Sequence, residues 1–326
     1  MTTQKCNEKI SVILSFYNEE KVLPELLRRL RAVFSQMIAE QSIGSYELIF
    51  VNDHSSDHSE AILRAELAQG DIVLINMTRN FGVSECVMAG MTQAKGDAVI
   101  YMDADLQDPP EVIPKMVKAW QAEPDIGVVY TTRTRREGEH PLKMFVTKMG
   151  YRLINSISEI ELPVDSGDFK LLSRCVVDRL LELKEDKPYI RGLVSWVGYK
   201  QVQVFYEREA RLDGRQNTKM PVLSKKVIYY WLDRALISFS DAPLKVMLLI
   251  GFLLSLVSLC YISVVLVQKL MGWYLPGWPA IMSAILLLGG TQIIMLGFIG
   301  LYIGAIFRET KNRPRYLIKE ILKGTE

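Results

Sequence analysis

DAVIYMDADLQDPPE, residues 97–111, runs from an apolar stretch into a cluster of acids and then into a proline-started segment. VIYM is a short apolar run of the kind that fills a strand buried on both faces. PEVIPKMVKAW (110–120) reads as a helix with proline near its start. A strand leading through a polar turn into a helix is half of a β-α-β unit. Asp103 and Asp105 stand two apart, so in an extended segment their side chains share one face. Converging carboxylates repel unless a cation lies between them. A hard divalent ion, Mg²⁺ or Mn²⁺, is the natural partner, completed by a diphosphate. Two solvated surface acids are the plainer reading of any Asp-x-Asp. The buried strand feeding the pair and the helix behind it favour the site.

Working outward, the same alternation repeats. ISVILSF (10–16), YELIFVN (46–52), DIVLINM (71–77) and IGVVYTT (126–132) read as further strands. Between them, Asn18 is placed to cap a helix with Val22, Leu26, Leu27, Leu30 and Phe34 at helical spacing. SSDHSEAILRAELA (55–68) and SECVMAGMTQA (84–94) are the next two helices. Five alternations predict an open, mostly parallel sheet with helices on both faces. Ligands in such folds sit at the carboxyl ends of the strands. The polar residues Asn18-Glu19, Asp53, Asn80 and Asp103–Asp105 fall there. Asp53, in VNDHSSD, could accept hydrogen bonds from a base or ribose, or simply cap a helix. In RNFGVSEC, Gly82 permits close backbone approach and the following helix N-terminus favours anions. Residues 136–220 are less regular: a polar loop, a helical MFVTKMGYRLINSI, then a turn, a strand and a helix across DSGDFKLLSRCVVDRLLEL.

The C-terminal third has a different composition. Val246–Gln268 and Leu270–Phe307 contain no charged residue. A helix crosses a hydrocarbon core in about 20 residues, so these runs predict two membrane spans. Upstream, KVIYYWLDRALISFSD (226–241) carries an apolar stripe; it is either an interfacial helix or one docked on the soluble part. Arg308, Lys311, Arg313, Arg315, Lys319 and Lys323 outnumber Glu309, Glu320 and Glu326 in the tail, whereas the connection near Lys269–Pro279 has one cation. That asymmetry puts both termini in the cytoplasm, as does the lack of an apolar leader in MTTQKCNEKI. Gly300 and Gly304 either allow close helix packing or are simply tolerated. The four cysteines are scattered without a CxxC pair, and the histidines lack metal spacing. A net charge of +2 argues against nucleic acid.

FYNEE (16–20), VNDHSSD (51–57), TRNFGVSECVMAGMTQAKGD (78–97), DADLQDPPE (103–111), SGDFKLLSR (166–174) and RGLVSWVG (191–198) occur in one order. Together they resemble the membrane-anchored, inverting family 2 glycosyltransferases that act on polyprenyl phosphates, bactoprenol glucosyltransferases above all. The resemblance spans nearly the whole chain. It implies a GT-A (Rossmann-like) α/β domain over 1–220, an interfacial helix over 221–242, two transmembrane helices over 243–307 and a basic cytoplasmic tail over 308–326. It also implies Mg²⁺ or Mn²⁺, a UDP-sugar donor, an undecaprenyl phosphate acceptor and a multi-pass place in the cell (inner) membrane. A homo-oligomer and a flippase acting later in the pathway are the implied partners. Carried over residue by residue, Tyr17, Asn18, Glu19 and Asn80 line the donor pocket, Asp53 reads the uridine, and Asp103 holds the sugar or ribose side. Asp105 binds the metal with help from Gln107 and Asp103. Asp168, with Asp165 just before it, is the catalytic or acceptor-side carboxylate. Arg133 and Arg135 close over the donor, and Arg208, Arg211 and Lys219 hold the acceptor phosphate. The sequence departs from the family pattern twice. Gly214 is followed by RQNTK where relatives have a compact G-x-[ST]-K, and an Asp-Asp pair near the uridine is Asn52-Asp53 here.

The reaction implied is transfer of one sugar, glucose by resemblance, to a lipid phosphate. Other hexoses and aminoarabinose derivatives stay open. A processive synthase would carry a Gln-x-x-Arg-Trp motif and more spans, and neither is present. A non-catalytic membrane scaffold remains as the rival from another class.

Overall fold

The computed structural model describes residues 7–134, 166–183, 185, 188–212, 242–271 and 277–324. Four strands, β1 (Lys9–Phe16), β2 (Ser45–Asn52), β3 (Ile72–Met77) and β4 (Ala98–Asp103), are parallel in the spatial order β4-β1-β2-β3. They are linked by α1 (Leu23–Ala39), α2 (Ser59–Glu66) and α3 (Val83–Gln93). Ile10, Val12, Ile13 and Leu14 are fully buried. A central parallel strand covered on both faces needs such an unbroken apolar run.

The sheet has eight strands in the order β7-β5-β6-β4-β1-β2-β3-β8, and it is mixed. After α4 (Ile113–Gln121), β5 (Ile126–Arg133) does not pair with β4. β6 (Ser166–Ser173) lies between them, antiparallel to both. Beyond α5 (Arg174–Glu182) and α6 (Ile190–Trp196), β7 (Lys200–Tyr206) runs parallel to β5 at the edge. The expected mostly parallel sheet is found: six strands share one direction, and β6 and β8 are the antiparallel exceptions, which the alternation of strands and helices did not show.

Two apolar layers sandwich the sheet. Leu26, Leu30 and Phe34 of α1 and Met116 and Val117 of α4 share one cluster with Val12, Leu14 and Phe50. Met88 and Met91 of α3, Val176 and Leu180 of α5 and Leu193 of α6 share the other with Ile13, Val51 and Tyr101. At Gly90, α3 approaches β1 so closely that a Cβ would stand 2.4 Å from Ile13 Cγ2.

Asn18 is not a helix cap, contrary to expectation. α1 starts at Leu23, after Val22 and without a side-chain cap, and has proline in its first turn. Asn18 adopts a left-handed conformation (φ 58°), and its Oδ1 accepts a hydrogen bond from Ser56 N (2.7 Å).

Two long helices follow, α7 (Ala242–Leu270) and α8 (Trp278–Thr310). Among the described residues one stretch, Leu287–Thr310, is long and apolar enough to cross a membrane. Of the pair Gly300 and Gly304, a Cβ at Gly300 would meet nothing within 4 Å among the described residues, and one at Gly304 would meet the Arg308 side chain at 3.9 Å. The tail then returns to the sheet as β8 (Ile318–Lys323), antiparallel to β3, a strand the sequence reading did not anticipate. The polar loop and helix expected between 136 and 157, and the amphipathic stretch 226–241, lie outside the described residues.

Candidate active site

The carboxyl ends of β1, β2 and β4 open onto a cleft of about 300 Å³. Tyr17 and Glu19 reach it from β1, Asp53 from β2, and Asp103, Asp105 and Gln107 from β4. Arg208 and Arg211, just after β7, complete its wall. Asp103 ends its strand, but Asp105 lies in the turn beyond it, where Leu106 is left-handed (φ 55°). The expectation that strand alternation puts both acids on one face is thus corrected: the turn brings Asp105 to the cleft. Asp105 Oδ1 accepts a hydrogen bond from Gln107 N (3.1 Å).

Negative charge is concentrated here. Burial, and then the charges of Asp168, Asp105 and Asp108, push the Asp103 carboxyl up to about 7. Burial also raises Asp105. The arginines answer this charge. Arg211 donates to Glu19 and places Nη1 3.7 Å from Asp105 Oδ2. Arg208 Nε stands 3.4 Å from the buried Asp108. Gln107 Oε1 is buried without a hydrogen-bond partner among the described residues. No group of three or more His, Cys, Asp or Glu is arranged for a metal among the described residues. Two carboxylates and an orphaned amide oxygen fit a hard divalent cation that takes its remaining ligands from a diphosphate.

Asp53 caps neither α2, which has no side-chain cap, nor the first turn of α3. Its carboxylate oxygens accept from Phe81 N (2.7 Å) and Gly82 N (3.0 Å), fixing the entry to α3. Gly82 has φ 107°, a conformation that favours glycine. Asp53 also lines the cleft, so the ligand-facing reading keeps its geometry. Asn18 and Asn80 serve the neighbouring loops. Asn18 N donates to Ser55 Oγ (3.0 Å), and the exposed Asn80 donates through Nδ2 to Asp53 O (3.4 Å).

Asp168, on β6, is gripped by Nε and Nη2 of a bidentate Arg191 from α6. Burial pushes its carboxyl up, but the hydrogen bonds and charge of Arg191, with Lys170 and Arg133, outweigh it and hold the group below the usual range. Lys170 is itself buried, and burial brings its ammonium down to about 8. Sequence reading missed Arg191. The signal was present, because Arg191 is the sole charged residue between Pro188 and Tyr199. Tyr206 and Asp108 were missed too; Tyr206 OH donates to Asp108 and meets Arg133 Nε at 3.4 Å. Arg133 thus sits beside this pair rather than on the cleft wall. Arg135, Asp165 and Lys219 lie outside the described residues.

A family model described as Glycosyl transferase family 2 matches residues 11–181, and a second, the GtrB C-terminal hairpin, matches 242–306. The chain belongs to glycosyl transferase family 2. This family 2 glycosyltransferase is 41% identical to the uncharacterized glycosyltransferase YkcC of Bacillus subtilis (strain 168), over 95% of this chain and 93% of that protein. It is 37% identical to the bactoprenol glucosyl transferase of Shigella phage SfII, over 97% and 99%. Among solved structures, glucosyl-3-phosphoglycerate synthase from Mycobacterium tuberculosis, in complex with Mn²⁺, UDP and phosphoglyceric acid, aligns with a TM-score of 0.49. The two are 22% identical, over 70% of this chain and 78% of that one. The family match in this glycosyltransferase contains Asp53, Asp103, Asp105 and Asp168, while Arg208 and Arg211 lie beyond it.

Proposed function

We propose that this glycosyltransferase moves one glucose from UDP-glucose to a polyprenyl phosphate, undecaprenyl phosphate in the first instance, at the membrane surface. The observation that carries the reading is the joining, in one cleft, of an oxygen-rich acidic set (Asp103, Asp105, Gln107) with two arginines (Arg208, Arg211). The first set suits a metal-bound nucleoside diphosphate, the second an acceptor phosphate. The full-length similarity to proteins named bactoprenol glucosyl transferase supports the sugar and the lipid.

A bound Mg²⁺ or Mn²⁺, held by Asp103, Asp105 and Gln107, would supply charge stabilisation to the leaving diphosphate. The acceptor is a phosphate monoester, largely dianionic at neutral pH because its second pKa is near 6. Its oxygen attacks the anomeric carbon directly as the bond to UDP breaks, which inverts the centre and gives a β-linked product. No strong base is required. Asp168, kept ionised by Arg191, therefore orients the acceptor side rather than abstracting an obligatory proton. Arg208 and Arg211, with Lys219, neutralise the acceptor phosphate, and Tyr17 and Asp53 hold the nucleotide side with Asn18, Glu19 and Asn80. Arg133 and Arg135 close the donor side, and Asp165 supports Asp168.

The same reading places α7 and α8 across the membrane as a hairpin, with the catalytic part and both termini cytoplasmic and residues 221–242 in the interface. The charge-free runs and the match to the hairpin family support it. So does the exposure of Phe252 (65%), Ile293 (72%) and Leu296 (66%), which calls for an apolar surround. The return of the tail to the sheet supports a hairpin that starts and ends on one side.

The test is product formation. Detergent-purified protein is incubated with undecaprenyl phosphate, Mg²⁺ or Mn²⁺ and a panel of UDP-sugars, and the lipid is read by mass spectrometry. A glucosyl-phosphate lipid lost in Asp105→Ala is the expected result. A product from a different donor would rename the sugar, and an α-linked product would overturn direct displacement. No release of nucleoside diphosphate from any donor would favour a scaffold.

A further inference from the structure

We propose that the C-terminal strand is a positioning element of the donor site, acting through the row Glu320, Asn76 and Asn52. Asn52 and Asn76 face each other in the β2/β3 register, and Asn76 and Glu320 in the β3/β8 register. Alternation places the two asparagines on the sheet face where Phe50 and Leu74 pack. Each is 2% exposed, and buried amides are costly unless every polar atom is matched. Asn76 Nδ2 donates to Glu320 Oε1 (2.9 Å), and Asn52 Nδ2 donates to Asn76 Oδ1 (2.9 Å). Asn52 Oδ1 in turn accepts from Ser55 N (2.8 Å). Ser55 Oγ then receives Asn18 N (3.0 Å), and Asn18 Oδ1 receives Ser56 N (2.7 Å). The row thus ends on the loop that carries Tyr17 and Glu19 into the cleft.

Its direction is fixed at both ends. An ionised Glu320 can only accept and the Ser55 amide can only donate, so the two asparagine amides have a single satisfied orientation. This accounts for asparagine at position 52: a carboxylate there would have no proton to give Asn76. With Asp at 52, the Asn76 amide would turn over and present its oxygen to Glu320, oxygen against oxygen. Glutamine at 320 would supply the missing N–H and let the whole row run in reverse.

The inference rests on the nucleotide-sugar reading of the cleft, and the experiment separates the two. UDP binding to full-length protein in detergent, with divalent metal present, is measured by calorimetry beside thermal stability and the KM values for donor and acceptor. Glu320→Ala and Asn52→Asp are each expected to weaken UDP binding about fivefold, the scale of one net hydrogen bond, leaving the acceptor KM unchanged. Glu320→Gln alone stays within about twofold of wild type, since its amide oxygen still accepts. The double variant Asn52→Asp/Glu320→Gln recovers to within about twofold, as reversal of the row requires. Arg64→Met, which removes the ion pair to Glu320 and leaves the amides in place, does not change UDP affinity. Singles that lower stability but not UDP affinity, or a double variant that merely multiplies the single losses, would overturn the proposal. Wild-type protein that fails to bind UDP overturns the donor assignment itself, and the relay with it, before any variant is compared.

Discussion

Asp53 offers two carboxylate oxygens to two backbone amides, and an asparagine can match only one of them. Asp53→Asn is expected to cost about 1 kcal/mol in urea unfolding and to lower UDP affinity as the entry to α3 loosens. Arg191 governs a larger effect. The Arg191 pair holds the Asp168 carboxyl low, so it contributes stability above the unfolded carboxylate range, near 4, that is lost as pH falls through the lower folded value. In Arg191→Gln, burial is opposed only by the charges of Lys170 and Arg133. The variant should be less stable by about 2 kcal/mol at pH 7, below the range for fully buried pairs because these side chains keep 34% and 30% of their surface exposed. The deficit should shrink as pH is lowered toward 4, and urea midpoints from pH 4 to 8 would show it. At this scale Asp53, Asp103, Asp105 and Gln107 could be singled out in sequence, since each sits in a short polar interruption of an apolar pattern, whereas Arg208 and Arg211 were named through the resemblance alone. Arg191 left a signal, a lone charge in an apolar run, but not its partner Asp168; Tyr206 and Asp108 left none, because their pairing arises only when β7 docks.

Between elements, the closest approach is that of α3 to β1. Gly90→Ala would drive a methyl into Ile13, and overpacking of this kind costs about 2 kcal/mol. Chemical denaturation should show that loss. The first four strands could be read directly, because being covered on both faces forces continuous apolar runs. β6 was readable as a strand, but not its position. Its buried Lys170 interrupts the apolar run, and nothing in local sequence says that it inserts between β4 and β5. β8 escaped notice for a different reason: IKEILK is short, half-exposed and basic, so its strand character comes from the open edge of β3.

Across the whole molecule, that edge ties the helical hairpin to the catalytic sheet. Truncation after Arg315 removes β8 and leaves β3 paired only with β2, with its outer edge bare. Faster amide exchange across Val73–Met77, read by mass spectrometry, is the expected outcome, together with weaker UDP binding. Unchanged exchange there would mean that the edge is held without the tail.

The Asn76–Glu320 pair spans 244 positions of chain. On the ribosome, β1 to β4 emerge before β8, so β3 keeps a bare edge until Ile318–Lys323 has been made. Both long helices have been synthesised by then. The β3 edge is therefore closed only after both long helices exist, and a chain halted before them keeps an exposed edge that invites aggregation. Such a fragment lacks the finished donor loops as well. The order of synthesis itself delays completion of the β3 edge, and of the row of amides that leads from it, until α7 and α8 have been made.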